Sequence, residues 1–191
     1  LPAHAQAPAT WNLGTFGAAT GGCVFVGGST SLGNSANCRV NGSATTSLVV
    51  RAFSLSGTSG SSTVSAGAVR SHGTSGLGVC HDGESCTAPN HAVDNIAGRA
   101  DFLLLDFLAP ARLDGLSIGW IDNSRDSDLQ VLRWTGNGNP LATLVGASAT
   151  QMLAGSGWSV VSSRSNAGLG AESFSSNQLT SRYWIVSAYN Q

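Results

Sequence analysis

Asp101-Phe102-Leu103-Leu104-Leu105-Asp106-Phe107 decides the fold class. It is a short apolar run bounded by aspartates, and it reads as a strong strand. Upstream, Asn90-His91-Ala92-Val93-Asp94-Asn95 reads as a small acidic loop carrying a histidine. Downstream, Ile118-Gly119-Trp120-Ile121 and Asp128-Leu129-Gln130-Val131-Leu132-Arg133-Trp134 give two more strand signals, with an aspartate cluster between them.

The rest of the chain follows the same pattern. Its apolar runs are short and end at Gly, Ser, Asn or Asp, and no long segment has helical period. Strands are expected at 10–16, 23–26, 47–54, 62–70, 77–80, 101–107, 113–121, 128–134, 158–163 and 183–189. In the last of these Tyr183, Ile185, Ser187 and Tyr189 alternate with Trp184, Val186 and Ala188, which predicts a strand covered on both faces. Leu116, Ile118 and Trp120 alternate with Ser117 and Gly119, which predicts a one-sided strand. Residues 141–153 carry a weak helical stripe at Leu141, Leu144, Val145 and Ala149, interrupted by Gly146. They read as a helix or as a loop crossing the edge. Short strands with turns about every ten residues predict an all-β chain, a single jelly-roll-like β-sandwich with Gly/Ser-rich loops. Neither a linker nor a repeat divides it: residues 17–191 form the domain and 1–16 an N-terminal extension or first strand.

The chain has 191 residues, enough for one domain with a real core. Charged residues make up 10 %, against roughly 25 % in ordinary globular proteins. The net charge of -1 gives no electrostatic case for nucleic acid or an anionic membrane. All nine basic residues are Arg, which excludes Schiff-base lysines, a P-loop lysine and Lys–Asn isopeptide crosslinks. Low charge also leaves little repulsion between copies, which suits either an assembling protein or a rigid monomer coated with Ser and Thr. There is no run long enough for a transmembrane helix. Ala3-His4-Ala5 resembles the small-residue end of a secretory signal.

Four cysteines, Cys23, Cys38, Cys80 and Cys86, allow three pairings. The local pairs Cys23–Cys38 and Cys80–Cys86 are favoured, because each brackets a loop rich in Gly, Ser, Asn or Asp. Neither gap has the spacing of a zinc site, so the count points to an oxidising compartment.

The candidate sites are few. Asp122, Asp126 and Asp128, with Asn123 and Ser124, place hard oxygens within seven residues, as a calcium loop does. Asp94, Asn95 and Asp101 would add ligands if the sheet brings them close. The same residues are also ordinary turn formers, and Arg125 opposes a cation. His91 with Asp94 suggests a catalytic or metal pair, but no nucleophile elbow or His-Glu-x-x-His accompanies it. A structural histidine pinning the loop fits better, and the chain is not expected to be an enzyme. Trp120, Trp134 and Trp184 sit among apolar neighbours and are expected in the core, while a row of exposed aromatics would bind polysaccharide. The first ten residues hold two prolines and no formal charge. Residues 1–16 either pack on their own domain or bridge to the next subunit as a donated strand, with Leu1, Pro2, Pro8 and Trp11 as contacts.

The order His91-Ala92-Val93-Asp94-Asn95, Asp101 to Phe107, Gly119-Trp120, Asp126-Ser127-Asp128 and Tyr183-Trp184-Ile185-Val186 resembles the mature domains of exosortase-dependent bacterial surface proteins. The resemblance implies that His91, Asp94, Asn95 and Trp120 are a structural signature. It also implies a secreted protein at the surface of a Gram-negative bacterium that self-assembles head-to-tail into a filament, sheath or biofilm matrix. The alternative is an extracellular module that binds glycan or calcium.

Overall fold

The computed structural model describes residues 8–17, 20–57, 62–87, 92–95, 98–122, 127–153, 157–174 and 179–188. Its strands are β1 (Gly22–Val26), β2 (Leu32–Gly33), β3 (Ser35–Arg39), β4 (Thr46–Leu55), β5 (Val64–Ser71), β6 (Leu77–Cys80), β7 (Ala100–Ala111), β8 (Gly115–Ile118), β9 (Leu129–Trp134), β10 (Trp158–Arg164), β11 (Gly170–Ser173) and β12 (Ser181–Ala188). Two short helices, α1 (Leu141–Leu144) and α2 (Ala149–Leu153), lie between β9 and β10. The fold is all-β and sandwich-like, as the strand pattern predicts.

The decisive stretch lies in the longest strand, β7, near the middle of an antiparallel sheet ordered β1-β3-β4-β7-β12-β9-β10. β7 is bonded along one side to β4 and along the other to β12, with Leu105 opposite both Val50 and Trp184. Both of its faces are therefore covered, and alternate side chains enter separate cores. Leu103, Leu105 and Phe107 join Leu48, Val50, Val131 and Trp184. Phe102 and Leu104 join Phe53, Leu132, Tyr183 and Ile185. Full burial of a side chain such as Leu104 or Ile185 contributes about 1.5–3 kcal/mol relative to exposure.

Different elements close the two faces. Over the first, β5 bends away from β4 to pair with β2 and β6, and β8 with β11 forms a separate ribbon; Val69, Val79, Leu116 and Ile118 pack down from these strands. Over the second lie Leu144 of α1 and Met152 of α2. The weak stripe at 141–153 is thus helical in two pieces, broken where Gly146 takes φ +83°.

Three expectations need correction. Residues 10–16 are not a strand: only Trp11, facing Val40, and Phe16, facing Cys23, make isolated bridges. The strand expected at 113–121 spans only Gly115–Ile118, and just past it the Gly119 backbone lies so close to Ser75 that a side chain there would overlap the Ser75 carbonyl. Consequently Trp120 is not in the core but 41 % exposed. β2, β3 and β11 were not expected; Ser35-Ala36-Asn37-Cys38-Arg39 has little strand propensity and is held by pairing on both sides.

Candidate functional site

β6 ends at Cys80, and the chain turns back through His81 to Glu84 before the Cys80–Cys86 disulfide closes the loop. Gly83, at φ +97°, takes the left-handed conformation in this turn. The His81 backbone N–H donates to Glu84 Oε1 at 2.8 Å, and His81 Nε2 lies 3.4 Å from Glu84 Oε2. The two side chains are only 8 % and 10 % exposed. His81 Nδ1 is 2.8 Å from the Asp82 carbonyl. A carbonyl only accepts, so Nδ1 carries a hydrogen and Nε2 is turned toward the carboxylates.

Asp101, at the start of β7, enters the same place from the sheet. It is 1 % exposed, and neither carboxylate oxygen has a hydrogen-bond partner. The Ser54 hydroxyl is near enough to favour the charged form, but its geometry falls short of a hydrogen bond. Ligand atoms of His81, Glu84 and Asp101 all lie within 4.8 Å of one another. Burial pushes the Asp101 carboxyl up to about 8, with the charges of Asp94 and Glu84 adding to the rise and Arg99 opposing it. Burial also raises Glu84, against the hydrogen bond from the His81 backbone. Two carboxylates and an imidazole therefore share one largely buried corner, and the charge of a third carboxylate, Asp94, acts on both carboxylates.

The residues singled out from sequence fall elsewhere or only partly here. Asp94 does belong: its carbonyl accepts from the Asp101 N–H at 2.7 Å, and its charge acts on both Glu84 and Asp101. His91 and Asp126 lie outside the described residues, as do Leu1 and Pro2. Asp128 Oδ1 accepts from the Asn166 N–H at 2.7 Å, a contact with a loop 38 residues further along the chain rather than with its own turn. Asp122, Asp128, Asn95 and Trp120 line a cavity of about 240 Å³ whose floor is Leu103, Leu105, Leu116, Ile118, Leu129 and Val186. The Trp120 ring stacks on His72 with centroids 6.4 Å apart. His81 was missed. Its signal was in plain view: His-Asp-Gly-Glu between two cysteines, with the imidazole and carboxylate three positions apart.

Trp11 is held by its own domain, its indole N–H donating to Ser47 Oγ at 2.9 Å and its ring meeting Phe107 edge-on at 5.1 Å. Pro8 is exposed just before it. Cys23 and Cys38 face each other across β1 and β3 and are bonded, as are Cys80 and Cys86, which is the local pairing. Trp184 is fully buried, Trp158 nearly so, and Trp134 packs against Trp158 with centroids 5.1 Å apart. No described helix is long and apolar enough to cross a membrane. No known family model, curated protein or solved structure matches the chain.

Proposed function

We propose that this is a secreted structural protein that assembles head-to-tail at the surface of a Gram-negative bacterium, as the resemblance to exosortase-dependent surface proteins implies. The observation that carries the reading is the polarity of the sheet. The described N-terminal residues lie against the end of β3, where the Thr10 carbonyl accepts from the Asn41 N–H and Trp11 bridges Val40. The opposite end of the strand order is β10, whose outer edge has no paired strand among the described residues and which carries Val160 at 49 % exposure. An unpaired edge with an exposed β-branched residue is a template for another strand. A donor at one end and an acceptor at the other make a contact that does not close on itself, and hence a fibre.

Thr10, Trp11, Thr15 and Phe16 are engaged with their own domain, so the donated strand is assigned to the chain ahead of them, residues 1–7. Two disulfides, no lysine and few charges suit an oxidising, crowded surface. The reading assigns no catalysis. Negative-stain microscopy and light scattering over a concentration series test it, on the full chain, on a chain lacking residues 1–7 and on Val160→Lys. Filaments in the first and folded monomers in the other two support it; a monodisperse full chain at every concentration refutes it.

A second reading has its own support in the 240 Å³ cavity and the half-exposed Trp120 on its lining. An aromatic face beside an apolar recess suits a sugar ring or another flat ligand. Retention on a polysaccharide column that Trp120→Ala abolishes would favour it.

A further inference from the structure

We infer that His81, Glu84 and Asp101 form a binding site for a divalent transition metal. The geometry is that of a ligand set turned inward. Asp101 is 1 % exposed and presents two oxygens without partners. A buried, unpartnered carboxylate is costly, and a cation is one of the few things that relieves it. His81 is prepared as a ligand: Nδ1 is bonded to the Asp82 carbonyl at 2.8 Å, which leaves Nε2 toward Glu84, 3.4 Å from its Oε2, with a ligand atom of Asp101 within 4.8 Å of the pair's. This hydrogen bond from the far ring nitrogen is the feature that orients metal-bound imidazoles. Glu84 is prepared likewise, since Oε1 is occupied by the His81 N–H at 2.8 Å and Oε2 faces Nε2.

The donor set selects the class of ion. One imidazole with two carboxylates suits the series from manganese to zinc, whereas calcium and magnesium prefer oxygen alone. Two carboxylates neutralise a double positive charge, so binding leaves no net charge from these three groups in the dry interior. Cys80 and Cys86 also lie beside Glu84, but they are bonded to each other, and a disulfide supplies no thiolate. Its part is to close the loop that carries His81 and Glu84. Three protein ligands leave room for water.

The site shares no residue with the β10 edge or with residues 1–7, so its test is independent of assembly. The full chain, stripped with chelator and shown by thiol assay to keep both disulfides, is titrated with Zn²⁺ by calorimetry and with Co²⁺ by visible absorption. One ion per chain is expected, with a cobalt spectrum that marks nitrogen and oxygen ligands and a rise in Tm on loading. Glu84→Gln and His81→Ala each weaken binding by more than about 100-fold, beyond the about 10- to 100-fold cost of losing a group outside the coordination sphere. Asp128→Asn leaves it unchanged. Glu84→Gln removes only a charge and keeps the shape, so it decides the matter if His81→Ala does not fold. No stoichiometric binding to the folded chain overturns the inference, as does equal binding by Glu84→Gln. A preference for Ca²⁺ over Zn²⁺ overturns it too, because the imidazole would then have no role.

Discussion

Two aspartates five residues apart on β7 are both buried, Asp101 at 1 % exposure and Asp106 at 4 %, and the protein treats them oppositely. Asp106 is fully engaged. Its two oxygens accept from Arg182 Nε at 2.7 Å and Nη2 at 3.1 Å, and Oδ1 also accepts from the Leu108 N–H at 3.0 Å. Leu108, at φ +57°, is where β7 loses its regular register with β12 between Ser181 and Tyr183. That carboxylate holds an irregular backbone in place. Asp101 sits in regular pairing opposite Ser54, neither of its oxygens accepts a hydrogen bond, and the charges of Asp94 and Glu84 act against its ionised form while that of Arg99 only partly offsets them. Burial alone therefore does not tell a structural aspartate from a functional one; what its oxygens meet does.

The same conservative change should have opposite signs at the two ends of the strand. In chelator at pH 7, Asp101→Asn stabilises the protein by about 1–4 kcal/mol, because the amide has no charge to desolvate and the unfolded chain no longer gains by ionising. Asp106→Asn destabilises it by about 2 kcal/mol, since Arg182 loses a charged, two-point partner. Urea unfolding of both variants checks this, and two changes of the same sign would break the contrast. A pH series sharpens it. The folded Asp101 carboxyl is raised to about 8, whereas the unfolded value is about 3.9. Below about pH 4 both states hold the proton, and the full contribution to stability is present. As pH rises toward 8 the unfolded chain releases the proton and the folded chain keeps it, so stability falls across this window. Glu84, raised as well, acts in the same direction. Metal-free wild type should lose stability from pH 4 to pH 8, and Asp101→Asn should flatten the slope; an unchanged slope would show that Asp101 is already charged in the fold.

Removal of the Cys80–Cys86 bridge is the next effect in size. The loop is short, with a sequence separation of 6, so cysteine to serine changes at both positions cost about 2 kcal/mol by the chain-entropy account. Thermal melting measures this. The cost falls on the Asp101 end of β7, where the loop carries His81 and Glu84, and zinc affinity should fall with it. The hydrogen bonds of Asp106 to Arg182 should survive, and a large drop in Asp106–Arg182 coupling would show that the two ends are not independent.

The contrast explains how much could be read from the chain. Phe102 to Phe107 declared a strand because apolar residues crowd between polar ends, and two-sided burial of 183–188 followed from the lack of a polar face. Those are local properties. β3 was not legible, because Ser35, Asn37 and Arg39 gain their place from neighbours on both sides. The exposure of Trp120 was hidden for a similar reason: the strand stops at Ile118, and the chain at Gly119 instead lies against the backbone of Ser75, distant in sequence. Asp101 and Asp106 read alike in sequence, as the two polar ends of one strand. Their difference lies in Arg182, 76 residues away, and in His81 and Glu84, which no alternation of residues places beside β7.

The smallest effect tests the Asp106 end most finely. Arg182 is 43 % exposed at its side chain, so its ion pair is partly screened and is worth less than a buried one. Arg182→Lys keeps the charge but gives up the two-point fork and weakens the contact of the guanidinium with the Tyr183 ring, 5.0 Å away. A loss of about 0.5–1 kcal/mol is expected. In a double-mutant cycle this loss should shrink when Asp106 is already Asn and stay the same when Asp101 is Asn. Coupling to Asp101 as strong as to Asp106 would mean that the strand transmits charge from end to end. The register argues otherwise: Asp106 faces Tyr183 across β12, and the Asp101 carbonyl accepts from Ser187 Oγ at the far end of that strand.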